Sequence, residues 1–538
     1  MAGQAAIGAR LEELPPADVL PARADVLCVL ALLCVSVALH GWLYFNTYTT
    51  ARDSIGFAQL ALQYESPKQA VVQFPCANPL DVMRRGEPPH PPVYPLIVLG
   101  VSKVVRKYHR GTLPEQMLRS TQIASMLGAV LLVIPMYVAA KRLYERRVAF
   151  TAALLFQLLP VSAQITSDGL TEAWYLLFVM ISLGAAVRAV QDHRLLSAFW
   201  AGFWSGMAYL VRPEGLLAAL CFGAVLVGLI ALNRSRRSVS VRQMPLLILG
   251  AAMTALPYMA IIGAFTLKPG GAGMISDVAF AEPAGAGPAI FAEVVDPLND
   301  GARVLWTLKT LAKELTKAFH YAPCFFALIG IGAALARLKL MPEVGLLLMM
   351  VFGNLVVIGL HAVRNGYLSE RHTLPVVFIG CFFAADGIFR TGDWSVRNLN
   401  RVTITGRWTG WFYMVVISAS CLPQAIRPLH ANRFGHKLIG EHLRDHANEM
   451  DVVIDPYTWA QYYSGRSVRG VPTDPNPARY RWAILEDGET PHSTLTRLQA
   501  ATAVKLDTKN PPVVAAEWID PADEKKMRKI VLYRQTVP

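Results

Sequence analysis

Runs of apolar residues long enough to cross a bilayer recur along the first four-fifths of this 538-residue chain, and that recurrence leaves few folds open. In hydrocarbon every backbone N–H and C=O must be satisfied within the protein, so such runs fold as helices. A spanning helix needs roughly 20 predominantly apolar residues. Spans are expected near 25–45, 119–140, 148–166, 170–188, 195–211, 213–232, 244–266, 319–336, 343–362, 373–390 and 408–425, about eleven in all. Composition agrees, with 54% of residues hydrophobic, 17% charged and a mean hydropathy of +0.36. A soluble chain carries about a quarter charged residues. The expected fold class is a polytopic α-helical membrane protein.

The net charge is +13 and the pI about 9.4, a balance that in another context suggests nucleic acid. Here the basic residues fall mostly between apolar runs, where they act as topology signals and lipid-phosphate contacts, so no nucleic-acid partner is expected. Lys141, Arg142, Arg146 and Arg147 crowd one connection. Arg234, Arg236, Arg237 and Arg242 crowd a second, and Arg390, Arg397, Arg401 and Arg407 a third. All three fall on one side, which the positive-inside rule makes cytoplasmic. The N-terminus is then cytoplasmic, and three large segments lie outside: 46–118, 267–318 and the tail from 426. The run after Arg23 lacks a small-residue cleavage site and is expected to be an anchor, not a removable signal. Of the seven cysteines only Cys76 stands in an outer segment, so no disulfide framework is expected.

The outer segments differ in character. In the first, Ile55, Phe57, Ala58, Leu60, Ala61, Leu62 and Tyr64 predict an amphipathic helix able to lie in the membrane interface. Further on, the prolines of "EPPHPPVYPLIVLGVSKVVRKYHRG" fix an extended lead-in to a helix too short to span, re-entrant or interfacial. In the second, Leu305, Leu308, Leu311, Leu315 and Phe319 repeat at helical spacing, with Lys309, Lys313 and Lys317 as a separate stripe. That stripe suits lipid head groups and equally a solvated face. The tail contains one helical segment, "KLIGEHLRDHA", and three short strand-like runs, "DVVID", "RWAILED" and "RKIVLYRQ". It is expected to be a small α/β domain outside the membrane. The chain therefore divides into residues 1–425, the membrane part, and 426–538, the outer domain.

Charged residues at the outer ends of spans are the candidate site residues, because an acid or base near a membrane boundary is costly and often functional. Asp53 follows the first span and precedes an apolar-periodic helix. It reads as an N-cap, as a reactive carboxylate, or as both at once. Asp168 in "ITSDGLTEAWY" also opens a helix and has the same two readings. Arg212, in the "YLVRPEGLLA" corner with Glu214, reads as a snorkelling residue or as an anion ligand. "VRNGYLSERHTLP" sets Arg364, Glu370, Arg371 and His372 in a short outer loop, and His90 reads first as a turn residue.

In their order these features resemble the GT-C glycosyltransferases, in particular the bacterial relatives of protein O-mannosyltransferases and of the enzymes that add aminoarabinose to lipid A. The resemblance runs over about residues 25–425, and "VVIDPYTWAQYYSGR" is similar to the outer domain of many such proteins. It implies a transferase that uses a polyprenyl-phosphate sugar at the outer leaflet, in a bacterial inner membrane, with a lipid, glycan or protein as acceptor. The first-loop acid of such enzymes is the candidate base, a position that falls on Asp53. This chain departs from the family in having Ser54 after that acid instead of Glu, and Arg371-His372 where Arg-Tyr is common.

Inverting glycosyl transfer needs a base for the acceptor proton and something to stabilise the departing phosphate. Guanidinium groups meet the second need with paired donors. Arg212 and Arg371 are the expected phosphate ligands, with His372 beside them and Arg52 next to the base; His90, Asp168 and Glu214 are further candidates. No DxD pair stands at the first-loop position, so neither a metal nor another cofactor is expected. The rival reading is a lipid flippase or secondary transporter, which would need ionisable residues near the bilayer midplane.

Orientation gives the first prediction. Cysteines introduced near 290 and 480 should be labelled from outside and one near 238 should not; labelling at 238 alone would reverse the topology.

Overall fold

The computed structural model describes residues 23–68, 76–86, 88–267, 300–338, 341–365, 368–398, 406–468, 479–487, 513–519 and 529–536. The helices come in the order expected. Among the described residues, seven are long and apolar enough to cross a membrane, from Arg23–Phe45 to Glu370–Asn398, or up to nine if each of two bent pairs is one span. This is an integral membrane protein. The expected count of eleven is not reached. Leu195–Tyr209 is helical but has only 15 residues, and Gly406–Ala425 is helical but interrupted by polar residues and Pro423. The pair Arg146–Leu158 and Pro160–Ser167 bends by 64°, because Pro160 lacks an N–H and its ring crowds the preceding turn. Arg364, Arg401 and Arg407 have side chains outside the described residues.

Helix packing relies on small residues where backbones approach closely, as it must when lipid is as apolar as the side chains. A Cβ on Gly202 would lie 2.0 Å from the Leu247 carbonyl oxygen, and one on Gly250 2.1 Å from that of Phe199. Leu195–Tyr209 and Arg237–Ile262 therefore interlock through glycine in both directions.

The Arg52–Glu65 helix departs from the expected interfacial placement. From Ser54 to Tyr64 only Gln59 is not buried. It lies inside the protein because three elements cover it. The Pro-rich segment crosses at Gly56, where any Cβ would sit 2.4 Å from Pro88 Cγ. The Val93–Tyr108 helix turns its buried face, Tyr94, Val98 and Val105, inward, and Phe57 meets Tyr94 edge to face at 4.9 Å. The C-terminal unit closes the remaining side, with Gln59 Nε2 donating to the Ser467 carbonyl (3.3 Å).

That unit contains the helices Phe434–His446 and Trp459–Tyr463 and a four-stranded sheet of order β1-β2-β4-β3, with β1 Val452–Ile454, β2 Tyr480–Asp487, β3 Val513–Ile519 and β4 Lys529–Thr536. The three runs singled out in the sequence form β1, β2 and β4; β3 was not anticipated. β1 runs parallel to β2, and the other pairs are antiparallel. Asp451 ties β1 to β2 by accepting from the backbone of Asn448, Arg479 and Tyr480 and from Trp482 Nε1. Burial alone would raise its carboxyl; these donors outweigh it and hold the group below the usual carboxylate range.

The glycine interlock is testable. Gly202→Ala forces a methyl onto backbone and should cost about 1–3 kcal/mol. Gly228, with nothing within 4 Å of an added Cβ, should accept alanine without loss. Thermal unfolding in detergent distinguishes the two, and equal melting would refute the interlock.

Candidate active site

At one end of the membrane-spanning helices, five charged side chains from four parts of the sequence converge. Glu172, the first residue of the Glu172–Gln191 helix, is 3% exposed. Arg212 Nη1 donates to Glu172 Oε1 at 2.7 Å, and Arg371 Nε donates to the same oxygen. Arg371 reaches onward through Nη1 to Asp53 Oδ2 at 2.5 Å. Arg212 Nη2 lies 3.4 Å from Glu214 Oε1, and its guanidinium stands 5.8 Å from the Tyr175 ring centre. Exposure grades along the chain of bonds: the side chain of Glu172 is 4% accessible, Arg371 29% and Asp53 48%. The cluster is thus anchored in the interior and opens toward solvent at Asp53.

Local sequence explains each placement. Arg212 is extended and precedes Pro213, which disfavours helix at the residue before it and starts a short 3-10 turn. Burial works against the Arg212 charge, but the Glu214 and Glu172 carboxylates outweigh it and raise the guanidinium above its ordinary value. Arg371 is the second residue of the Glu370–Asn398 helix.

Asp53 is not the cap of its helix. Ala51 holds that position and Asp53 is the second helical residue, directed at Arg371. Asp168 also departs from expectation, since it closes the Pro160–Ser167 helix instead of opening the next, which starts after Thr171. Its Oδ1 accepts the Ala51 N–H at 2.9 Å, so it caps the Asp53 helix from another part of the chain. Its carbonyl accepts from Ser54 Oγ at 2.8 Å, and its Oδ2 bonds His430 Nε2 at 2.7 Å. Gly169 permits this approach, with φ +70° and no room for a Cβ, which would lie 2.6 Å from Thr121 Oγ1.

The structure therefore brings together Asp53, Arg212, Glu214 and Arg371. Four other candidates lie apart from their bonds. Arg52 is exposed at the first position of its helix. His372 Nδ1 is engaged with Ser369, 2.9 Å from its Oγ, and the ring packs 4.8 Å from His361. His90 packs on Phe57 at 4.6 Å. Asp168 serves the helix terminus. Glu172 was not singled out in the sequence, where Asp168 stood for the acid of "SDGLTEAWYLL"; its signal was a lone carboxylate opening an otherwise apolar run. Among the described residues no three His, Cys, Asp or Glu side chains are grouped to hold a metal ion.

Residues 89–261 match the family described as dolichyl-phosphate-mannose-protein mannosyltransferase, a stretch that includes Glu172 and Arg212 but neither Asp53 nor Arg371. ArnT from Cupriavidus metallidurans, solved with undecaprenyl phosphate bound, superposes with a TM-score of 0.50 at 12% identity, covering 95% of this chain and 97% of that one. The chain has the GT-C fold. The GT-C oligosaccharyltransferase AglB from Archaeoglobus fulgidus, in complex with an inhibitory peptide and a dolichol-phosphate, gives a TM-score of 0.50 at 14% identity over 83% of this chain. The chain spans 64% of the length of that archaeal protein. No match was found among curated protein sequences.

Truncating Glu172 should leave two guanidiniums facing each other without their shared anion. Glu172→Ala is expected to destabilise the fold by about 3–5 kcal/mol, the cost of breaking a buried ion pair from one side. Thermal unfolding in detergent measures it, and an unchanged midpoint would show that other anions suffice.

Proposed function

We propose that the protein is an integral-membrane glycosyltransferase that moves a sugar from a polyprenyl-phosphate donor to an acceptor hydroxyl or amine at the outer membrane face, with inversion. The observation that carries this reading is Arg371, bonded on one side to the buried Glu172 and on the other to the half-exposed Asp53. A guanidinium held this way is fixed in orientation before a ligand arrives, which is what electrostatic stabilisation of a leaving group requires. The undecaprenyl phosphate bound to ArnT, the dolichol-phosphate bound to AglB and the dolichyl-phosphate-mannose description of the matched family support the same donor class.

Charge balance suggests how the site is used. Asp53, Glu172 and Glu214 carry three negative charges against two positive ones on Arg212 and Arg371. An incoming phosphate competes with these carboxylates for the guanidiniums. Asp53 is the most exposed of the three and the one best able to move. The phosphate then takes the face of Arg371 that Asp53 leaves, and the released carboxylate is free to accept a proton. In the transfer the acceptor oxygen or nitrogen bonds to the anomeric carbon and its proton goes to Asp53. The bond from that carbon to the phosphate oxygen breaks, and polyprenyl phosphate departs with its charge held by Arg371 and Arg212. The protein would sit in a bacterial inner membrane with its C-terminal unit outside.

Purified protein in liposomes, offered a panel of labelled polyprenyl-phosphate sugars, tests the proposal. Asp53→Asn should reduce transfer by about 10²–10⁴-fold, the range for a positioned general base, while donor binding persists. Arg371→Ala should weaken donor binding as well as turnover. A transfer rate unchanged in Asp53→Asn would remove that residue from the mechanism.

A further inference from the structure

The segment between the first span and Asp53 is bonded at its start to the end of that span, through Asn46 and Thr47, and along its length to residues from the other end of the chain. Thr47 forms an isolated parallel bridge with Leu429. Within it Tyr48 N–H donates to the Leu429 carbonyl, and Leu429 N–H to the Asn46 carbonyl, each at 3.1 Å. Thr49 Oγ1 meets Tyr463 OH at 3.0 Å. Trp459, 1% exposed, donates its indole N–H to the Thr50 carbonyl at 3.0 Å. Ala51 N–H is taken by Asp168, whose other oxygen is fixed by His430. Each residue from Asn46 to Ala51 is thus tied, directly or through Asp168, to residues beyond the Gly406–Ala425 helix. Asp53 follows two positions later.

One holding residue and the immediate neighbour of another carry backbone strain. His430 has φ +52° and Thr458, next to Trp459, has φ +71°. Non-glycine residues in the left-handed region, a β-branched one above all, persist only where surrounding contacts over-determine them. Both occur where the C-terminal unit grips the first loop.

We propose that the C-terminal unit is a positioning element of the transfer site, in which His430, through Asp168, and Trp459, through Thr50, set the start of the helix that carries Asp53. The proposal rests on the reading of Asp53 as base. It gives the unit a role in turnover, where a recognition module would act on donor or acceptor affinity. Misplacing a catalytic group by about 1 Å can cost up to ~10²-fold in rate.

Two measurements on the full chain in lipid nanodiscs test it. In hydrogen exchange, residues 46–56 should be protected in the wild type and lose protection in Trp459→Phe with His430→Ala, while the spans stay unchanged. In transfer assays the same double variant should lose ~10–100-fold in kcat, with donor KM within twofold of wild type. Lys437→Ala breaks a different tie of the unit, to Glu115 at 2.8 Å, and should leave kcat within twofold. Unchanged exchange at 46–56 would overturn the clamp. Raised exchange with unchanged kcat, or a loss confined to KM, would overturn the positioning role. If the wild type transfers no sugar, the function reading fails, and the exchange measurement still decides whether the clamp exists.

Discussion

A single buried carboxylate organises the charged end of this protein's helix bundle. Glu172 sits at the top of a largely buried helix and receives guanidiniums from two other parts of the chain. It is the one anion both arginines share, and without it each would keep only a more exposed carboxylate, Asp53 for Arg371 and Glu214 for Arg212. Its two bonds also orient both arginines, and one of them carries the arrangement out to Asp53. The fixed interior acid, the bridging cation and the half-exposed outer acid form one linear electrostatic device.

Much of this was legible in the sequence, though unevenly. The spans could be read because hydrocarbon tolerates only satisfied backbone, and the eleven apolar runs fall on helices, of which seven count as spans alone and up to nine if each bent pair is one span. Asp53, Arg212 and Arg371 stood out because charge at a membrane boundary needs a reason. Their mutual contacts did not, because Arg371 and Asp53 are 318 residues apart and no periodicity encodes such a pairing. Glu172 was hidden by Asp168, which is nearer the turn and looks like the better cap. Asp168 does cap a helix, but one more than a hundred residues away.

The first-loop helix shows a similar limit. Its apolar periodicity fits an interfacial helix and equally a helix buried by neighbours. Only Gly56 hinted at the difference, and its meaning depends on Pro88 arriving against it. Likewise β3 contains "VVAAEWI", whose strand character becomes clear only beside β4.

The bridge between Thr47 and Leu429 has a consequence for biogenesis. The two segments it joins follow the Arg23–Phe45 and Gly406–Ala425 helices, so the ring of contacts closes only after the second of these has been made. Until then the Asp53 helix emerges early but lacks its cap partner's support, its indole donor and its cationic neighbour. A chain halted before residue 370 would have its helices in the bilayer and no assembled cluster, because Arg371 would be missing. Assembly of this cluster is therefore a late step in folding, set by the arrival of Arg371 and of the residues that grip the first loop.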